Sequence, residues 1–242
     1  MMIDVHNHLL PGIDDGAADM GAALRLAALA QAQGITHLIC TPHIHPRRYD
    51  NTAASIEVAL TQFRQALADA GIALQVAGAA EVRFGLEIMA GVADGSMPFL
   101  GQWDGQQVLL LEFPTNEVPF GAERLTAWLI DRGILPMIAH PERNAGILSQ
   151  PDKLLAFRAQ GCLVQLTAAA LTGHFGLGPQ RLARDLLERG DATVIASDAH
   201  NEAYRPPALR AGAEAAAEWV GAEAARVLVR DNPWRLVKGH FE

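Results

Sequence analysis

The feature that most constrains the fold is a regular alternation of short apolar segments with helix-like stretches. Seven segments, rich in β-branched residues or closely followed by small ones, are predicted as strands: 2–6, 36–41, 74–80, 107–113, 134–139, 162–167 and 192–197. Helical patterns lie between them, at 22–33, 53–70, 123–132, 151–160 and 179–188. Strands that alternate with helices at this spacing form parallel βαβ units.

Seven such units without an obvious linker predict one closed or nearly closed α/β barrel that spans residues 1–242 as a single domain. An open, doubly wound sheet is the alternative fold. The Ala-rich stretch 208–229 keeps a helical pattern and is expected to cover the barrel.

Charge and apolar run length exclude several classes of partner. The formal net charge is −8, which is the wrong sign for general attraction to nucleic acid or to anionic lipid. The longest apolar runs stop far short of a membrane span, so no membrane insertion is expected. The two cysteines lie in apolar, strand-like runs, and the chain opens without a basic and apolar leader. We therefore expect a cytoplasmic protein.

Ionisable side chains gather where the predicted strands end. Six of the seven strands lead into an imidazole or a carboxylate, in the stretches Asp4-Val5-His6-Asn7-His8, Thr41-Pro42-His43, Glu81, Glu112, His140-Pro141-Glu142-Arg143 and Ser197-Asp198-Ala199-His200. The carboxyl ends of parallel barrel strands open onto one face, where active sites are built. These distant residues are therefore expected to converge on one mouth.

The residue types indicate a metal site. His6 and His8 are two apart, as are Asp198 and His200, so each pair can point to the same side of a strand. Mixed imidazole and carboxylate ligands suit Zn²⁺, Mn²⁺ or Fe²⁺. A His-x-His pair or a single Glu after a strand is common in proteins without a metal, and it is the conjunction that indicates a site. So many ligands exceed what one ion uses, and two or three adjacent ions favour phosphoester hydrolysis.

These motifs resemble a known superfamily over essentially the whole chain. The stretches named above, together with Asp14-Asp15-Gly16, the segment 78–81, Asn201 and Arg205-Pro206-Pro207, resemble the polymerase and histidinol phosphatase (PHP) superfamily. Within it they most resemble the manganese-dependent protein-tyrosine phosphatases of bacterial capsule and exopolysaccharide operons. The resemblance implies a distorted seven-stranded (β/α) barrel, similar to a TIM barrel.

The resemblance also implies a trinuclear site. One ion would take His6, His8, Glu81 and Asp198, a second Glu81, Glu112 and His140, and a third Asp15, His43 and His200. Either Asp14 or Asp15 can fill the carboxylate position of the third set. The implied ions are Mn²⁺, two or three of them, with Fe, Co or Zn as alternatives.

Substrate contacts and chemistry follow from the same resemblance. Arg143 and Arg205 follow strands at the predicted metal face and are expected to bind phosphate oxygens, for which the planar guanidinium is well shaped. The implied nucleophile is a metal-bound hydroxide. Cys40 and Cys162 lack the five-residue spacer and Arg of a cysteine phosphatase loop and are expected to be buried. Arg47 and Arg48 are expected at the rim.

The predicted function is hydrolysis of phosphotyrosine on proteins, the implied partner being a bacterial tyrosine kinase of capsule or exopolysaccharide synthesis. One alternative is a small-molecule PHP phosphatase acting, for instance, on histidinol phosphate. Another is a metal-binding or scaffolding domain without catalysis.

Overall fold

A computed structural model describes all 242 residues. It contains strands β1 (Met2–Asn7), β2 (Ile35–Cys40), β3 (His43–His45), β4 (Tyr49–Asp50), β5 (Gln75–Gly78), β6 (Glu81–Arg83), β7 (Gly101–Trp103), β8 (Gln106–Glu112), β9 (Ile134–Ala139), β10 (Leu163–Thr167) and β11 (Val194–Ala196). All seven predicted strands are present. Their bounds differ from the prediction by up to two residues, and the added strands are short.

The helices lie between the strands and cover them. They are α1 (Met20–Ala32), α2 (Ala53–Asp69), α3 (Glu87–Ala93), α4 (Ala122–Ile130), α5 (Ala145–Ser149), α6 (Lys153–Ala159), α7 (Ala168–Leu171), α8 (Leu177–Glu188), α9 (Leu209–Val220), α10 (Ala222–Arg226) and α11 (Asn232–Val237). Short turns of 3₁₀ helix at Pro141–Arg143 and Lys238–His240 and of π-helix at Val227–Asp231 complete the chain.

Helix α2 shows why these stretches become helices. A capping box joins Thr52 and Ser55 at its start and satisfies backbone N–H groups that have no helical partner there. Ile56, Leu60 and Phe63 then recur at helical spacing and are buried against the sheet. None of the helices is both long enough and apolar enough to cross a membrane.

The strands form a closed ring, as the sequence predicts. Parallel pairing runs β11-β10-β9-β8-β6-β3 in one sheet and β1-β2-β5 in another. Strand β2 continues into β3 after Pro42, and β5 continues into β6, so each pair forms one broken strand shared by both sheets. The ring closes where Asp198 N donates to His6 O and His8 N donates to Ala199 O, both at 2.8 Å. The open, doubly wound sheet is therefore not the fold.

The barrel is distorted between β5 and β8. The start of β8 pairs with the antiparallel strand β7 instead of with β5. Strand β7 packs so closely against the C-terminal helix that a Cβ on Gly101 would lie 2.1 Å from the Leu236 carbonyl oxygen. Gly101 therefore accepts no side chain without a backbone shift.

The two ends of the barrel interior differ in chemistry. An apolar cluster that includes Ile3, Val5 and Leu163 fills the end where the strands begin, whereas His6 and Gln165 lie toward the other end. Side chains alternate along a strand, so Val5 and His6 would normally face opposite sides. A register irregularity between Asp4 and Asn7 brings both toward the interior.

Candidate metal centre

Buried imidazoles and carboxylates meet at the carboxyl ends of the strands. The nine residues predicted as metal ligands are His6, His8, Asp15, His43, Glu81, Glu112, His140, Asp198 and His200. Eight of them fall into overlapping groups whose potential ligand atoms lie within 4.8 Å of one another: His8, Asp15, His43 and His200; His6, His8, Glu81 and Asp198; His43, Glu81 and Glu112. The structure thus brings together side chains that are far apart in sequence.

The most buried group consists of His6, His8, Glu81 and Asp198. The Nε2 atoms of His6 and His8 lie 3.3 Å apart. Glu81 Oε2 lies 3.3 Å from His6 Nε2 and 3.4 Å from His8 Nε2, and Asp198 Oδ1 lies 3.4 Å from both. All four side chains are essentially inaccessible to solvent. Four potential ligand atoms therefore face one small volume.

Hydrogen bonds on the far side of each ring decide which imidazole nitrogen faces this volume. His6 Nδ1 lies 2.8 Å from Gln165 Oε1, and His8 Nδ1 lies 2.7 Å from Asp14 Oδ2. Both oxygens are acceptors, so each Nδ1 donates its proton, and each neutral ring has a lone pair on Nε2. Such contacts behind a ring fix the tautomer that binds a metal.

The second group contains His8, Asp15, His43 and His200. Asp15 Oδ1 lies 3.4 Å from His43 Nε2 and 3.6 Å from His200 Nε2. His200 Nδ1 donates to the backbone carbonyl of Asp198 at 3.0 Å, which leaves Nε2 free for a ligand. Asp15 faces the group, while Asp14 lies behind His8 and also accepts from His43 N at 3.1 Å.

The Asp14-Asp15-Gly16 loop needs its glycine. A Cβ on Gly16 would lie 1.9 Å from the carbonyl oxygen of His8. That same oxygen accepts a hydrogen bond from Ala17 N at 3.0 Å. The absence of a side chain at Gly16 therefore lets the loop lie against His8, the residue that follows β1, and brings Asp15 to the site.

The third group differs in part from the implied set of Glu81, Glu112 and His140. His43 Nδ1 lies 3.0 Å from Glu81 Oε2 and 3.9 Å from Glu112 Oε2. His140 contacts the other oxygen of Glu81, with His140 Nε2 2.7 Å from Oε1. Glu112 is also paired with Arg83, whose Nη1 lies 3.0 Å from Oε2. Glu81 thus belongs to two groups, the one with His6, His8 and Asp198 and the one with His43 and Glu112.

Two of these residues have an unusual backbone. His140 and Asp198 adopt left-handed conformations, with φ of 33° and 52°. Non-glycine residues held this way typically cost about 1 kcal/mol or more, and they cluster at functional sites. Here the left-handed backbone turns each side chain toward the site directly after a strand.

Electrostatic interactions keep the carboxylates ionised in the metal-free protein. Burial by itself raises the pKa of Glu81, but His6, His43 and His140 hold it well below its usual value. Burial also raises the pKa of Asp198, and His6, Arg143 and Arg205 lower it more strongly. Both residues therefore present negative charge to the site at neutral pH.

The site shifts the pKa values of His43 and His200 in opposite directions. Burial lowers the pKa of His43, but the carboxylates of Glu81 and Asp15 together outweigh burial and raise that pKa to about 10. Burial and the neighbouring His8 lower the pKa of His200 to about 4. Without a metal, His200 is consequently neutral at neutral pH, whereas His43 is protonated and has to release a proton to bind an ion.

Several polar atoms in the site lack a hydrogen-bond partner although they are buried. They are Glu81 Oε2, Asp198 Oδ1, His43 Nδ1 and His200 Nε2. Buried polar groups are normally paired, because leaving one unpaired costs about 1–3 kcal/mol. Each atom belongs to one of the groups described above, so these residues fit divalent cations with mixed N and O ligands.

Arg143 and Arg205 lie beside the metal groups, at the edge of the site. Each donates to Asp198 Oδ2, the oxygen that faces away from His6 and His8. Arg205 Nε has no partner. A guanidinium carries five N–H donors, so each arginine keeps donors for another ligand beyond Asp198.

The rim and the cysteines match expectation. Arg47 and Arg48 are exposed. Cys40 and Cys162 are free and buried. Burial raises the pKa of the Cys162 thiol to about 12 and raises that of Cys40 as well. Neither thiol is a competent nucleophile at neutral pH.

Sequence reasoning missed several residues of the site. Gln165 and Arg83 were not identified, nor were Phe175, which packs on Arg143, and the rings of His174 and Tyr204 that extend from Phe175. One signal was available: Gln165 is a polar residue in the middle of an apolar strand. Asp14 was identified as an alternative ligand, whereas the structure places it behind His8.

Comparisons with known proteins identify the family of this chain. Residues 2–238 match the sequence model of the family described as "Capsular polysaccharide synthesis, CpsB/CapC". The chain is 36% identical over 200 residues to the tyrosine-protein phosphatase YwqE of Bacillus subtilis, covering 83% of this chain and 78% of YwqE. It is 25% identical over 241 residues to the tyrosine-protein phosphatase CpsB of Streptococcus pneumoniae, covering 98% of each.

Structural comparison gives the same result. A solved structure from work on YwqE and CpsB, described there as "unique metal-dependent tyrosine phosphatases", superposes with a TM-score of 0.91 at 32% identity. The match covers 98% of this chain and 94% of that one. The match of sequence, fold and overall length together shows that this chain belongs to the CpsB/CapC family of capsular polysaccharide synthesis.

Proposed function

We propose that this protein is a metal-dependent phosphatase that hydrolyses phosphotyrosine on proteins. The observation that carries the proposal is the convergence of Glu81 Oε2 and Asp198 Oδ1 on the Nε2 atoms of His6 and His8. Two buried carboxylates and two imidazole nitrogens that face one small volume form a mixed N and O ligand set, which fits divalent cations. The names of the homologues favour the tyrosine phosphatase over the small-molecule alternative.

The metal ligands form overlapping sets. The proposed ligands are His6, His8, Asp15, His43, Glu81, Glu112, His140, Asp198 and His200, with Asp14 and Gln165 as the groups that orient His8 and His6. We propose Mn²⁺ as the resident ion, which fits a mixed imidazole and carboxylate site. When bound, divalent ions neutralise phosphate charge and make water a competent nucleophile near neutral pH.

The remaining tasks fall to the arginines. We assign the non-bridging phosphate oxygens to Arg143 and Arg205, whose planar groups can each offer two parallel N–H bonds. Their shared contact with Asp198 holds both next to the metal groups before substrate arrives. Such positioning lowers the entropic cost of reaching the reactive geometry. No side chain of this protein is assigned as nucleophile.

Family membership and the cysteines indicate a biological setting. Membership of a capsule synthesis family supports a phosphorylated bacterial tyrosine kinase as substrate protein, and the buried free thiols support a cytoplasmic location. We further propose that residues 1–242 act as one domain, since the ring of strands uses segments from both ends of the chain.

A metal-reconstituted assay tests the function. Chelator-treated protein is expected to be inactive and to regain hydrolysis with Mn²⁺, and to prefer a phosphotyrosine peptide to histidinol phosphate in kcat/KM. His6→Ala and Asp198→Ala are expected to lose bound metal and activity together. His240→Ala, which alters a histidine bonded to Leu100 O outside the metal groups, is the matched control and should change neither.

Two results would refute the proposal. One is full activity in protein that elemental analysis shows to be free of metal. The other is a preference for histidinol phosphate over every phosphotyrosine peptide, which would establish the small-molecule phosphatase instead.

A further inference from the structure

A chain of three aromatic rings begins at Arg143 and includes none of the potential metal ligands. The guanidinium carbon of Arg143 lies 4.6 Å from the ring centroid of Phe175. The His174 ring lies 5.1 Å from Phe175 and 4.6 Å from Tyr204, centroid to centroid. These rings therefore form a connected set next to the Arg143 guanidinium, which pairs with Asp198. We call this set, His174, Phe175 and Tyr204, the aromatic cluster.

The loops that carry the aromatic cluster are held by their own hydrogen bonds. His174 N donates to Ala169 O at 3.0 Å. On the other loop, Asn201 Oδ1 accepts from Tyr204 N at 2.7 Å and from Arg205 N at 3.2 Å. A ligand that contacts these rings thus has little backbone left to order, which lowers the cost of binding.

The aromatic cluster is open to a ligand. Tyr204 is 60% exposed and His174 is exposed, while Phe175 is half-buried and packs against the core. Tyr49, an aromatic residue on another side of the site, differs because its ring stacks on His43 and lies under the Arg48 guanidinium. Large exposed aromatic surface beside a polar site is characteristic of a ligand-binding position.

We propose that the aromatic cluster binds the phenyl ring of the substrate and so makes the site select aryl over alkyl phosphates. This inference rests on the proposed function, since it assumes that phosphate lies against Arg143 and Arg205. The ester oxygen and the non-bridging oxygens share one phosphorus, so the organic group of a phosphate held by Arg143 and Arg205 begins next to these two residues. The rings that extend from Arg143 are therefore within reach of a substrate phenyl group and can pack against it edge to face or offset. Phe175 and Tyr204 are thus specificity-determining residues.

Binding of two phosphonates isolates the contribution of the ring. Benzylphosphonate and methylphosphonate carry the same charged group and differ by one phenyl ring, and neither is a phosphate ester. Calorimetry on metal-loaded protein is expected to show tighter binding of benzylphosphonate. Tyr204→Leu and Phe175→Leu should each weaken benzylphosphonate about threefold to tenfold, the size of one aromatic contact, and leave methylphosphonate nearly unchanged.

Trp128→Leu provides a matched control. Trp128 also stacks on an arginine, with the Arg132 guanidinium carbon 4.0 Å from its ring, but it lies on α4 outside the barrel. This variant should bind both phosphonates as the wild type does. Tyr204 is exposed, so Tyr204→Leu keeps the test valid if Phe175→Leu does not fold.

The outcomes separate this inference from the proposed function. An unchanged ratio of the two dissociation constants in both variants would overturn the aryl subsite. Equal weakening of both phosphonates would also overturn it, since the rings would then merely position Arg143. The proposed function would be refuted if metal-loaded wild type failed to hydrolyse phosphotyrosine. In that case, tighter binding of benzylphosphonate than of methylphosphonate by the wild type, lost in Tyr204→Leu, would still establish the subsite.

Discussion

Gln165 offers the sharpest test of how the metal site is organised. Its side chain is completely buried, and Oε1 accepts from His6 Nδ1 at 2.8 Å and from His140 N at 3.3 Å. Its Nε2 has no partner. The variant Gln165→Leu removes the acceptor, while Gln165→Glu keeps an acceptor and gives up no hydrogen bond from Nε2. Comparing the two variants therefore separates the effect of losing the hydrogen-bond acceptor from the effect of changing the side chain at this position.

The expected loss follows from these two contacts. Removing a group that orients a metal-binding imidazole typically lowers metal affinity about tenfold to a hundredfold, or about 1.4–2.8 kcal/mol. Gln165→Leu also leaves a buried N–H on His6 and another on His140 without an acceptor, at about 1–3 kcal/mol of unfolding free energy each. We expect Gln165→Glu to retain most of the metal affinity, because a carboxylate behind the ring raises the basicity of Nε2.

Two measurements check this reasoning. Competition with a chromophoric chelator gives the metal affinity of each variant, and thermal unfolding of the metal-free proteins gives the change in stability. A folded Gln165→Leu protein with wild-type metal affinity would refute the role of the acceptor. So would equal impairment of the Leu and Glu variants, since only the size of the side chain would then matter.

Further predictions concern the arginines and the thiols. Arg143→Ala is expected to lower kcat/KM for aryl phosphates about tenfold to a hundredfold, because an interaction with a charged group contributes roughly 1.5–3 kcal/mol, with metal content unchanged by elemental analysis. Arg143→Lys should rescue in part, and Arg184→Ala, which breaks an exposed pair with Glu188, should leave the kinetics unaltered. Loss of metal in Arg143→Ala would show that its contact with Asp198 matters more than its contact with phosphate. Cys40→Ser and Cys162→Ser should each keep most activity, and iodoacetamide should label the folded protein slowly at mildly alkaline pH, since burial raises the thiol pKa values; a trapped phosphocysteine would contradict this.

The amino-acid sequence is enough to predict the strands, most helices and the end of the barrel that carries the site. These features follow from hydrophobic periodicity and from the residue types at strand ends. Both are local properties of the sequence and do not depend on how distant segments pack together. His6, His8 and Asp198 could be identified as candidates because parallel strands present their carboxyl ends on one face. The resemblance to a known superfamily then supplied the grouping of ligands.

The hydrogen-bond partners of the site residues can be read only from the tertiary structure. Which of Asp14 and Asp15 faces the groups depends on how the Gly16 loop lies on His8, a contact that no local pattern encodes. The acceptor behind His6 comes from β10, 159 residues further along the chain. Such contacts depend on register and packing between distant strands, and a single sequence records neither.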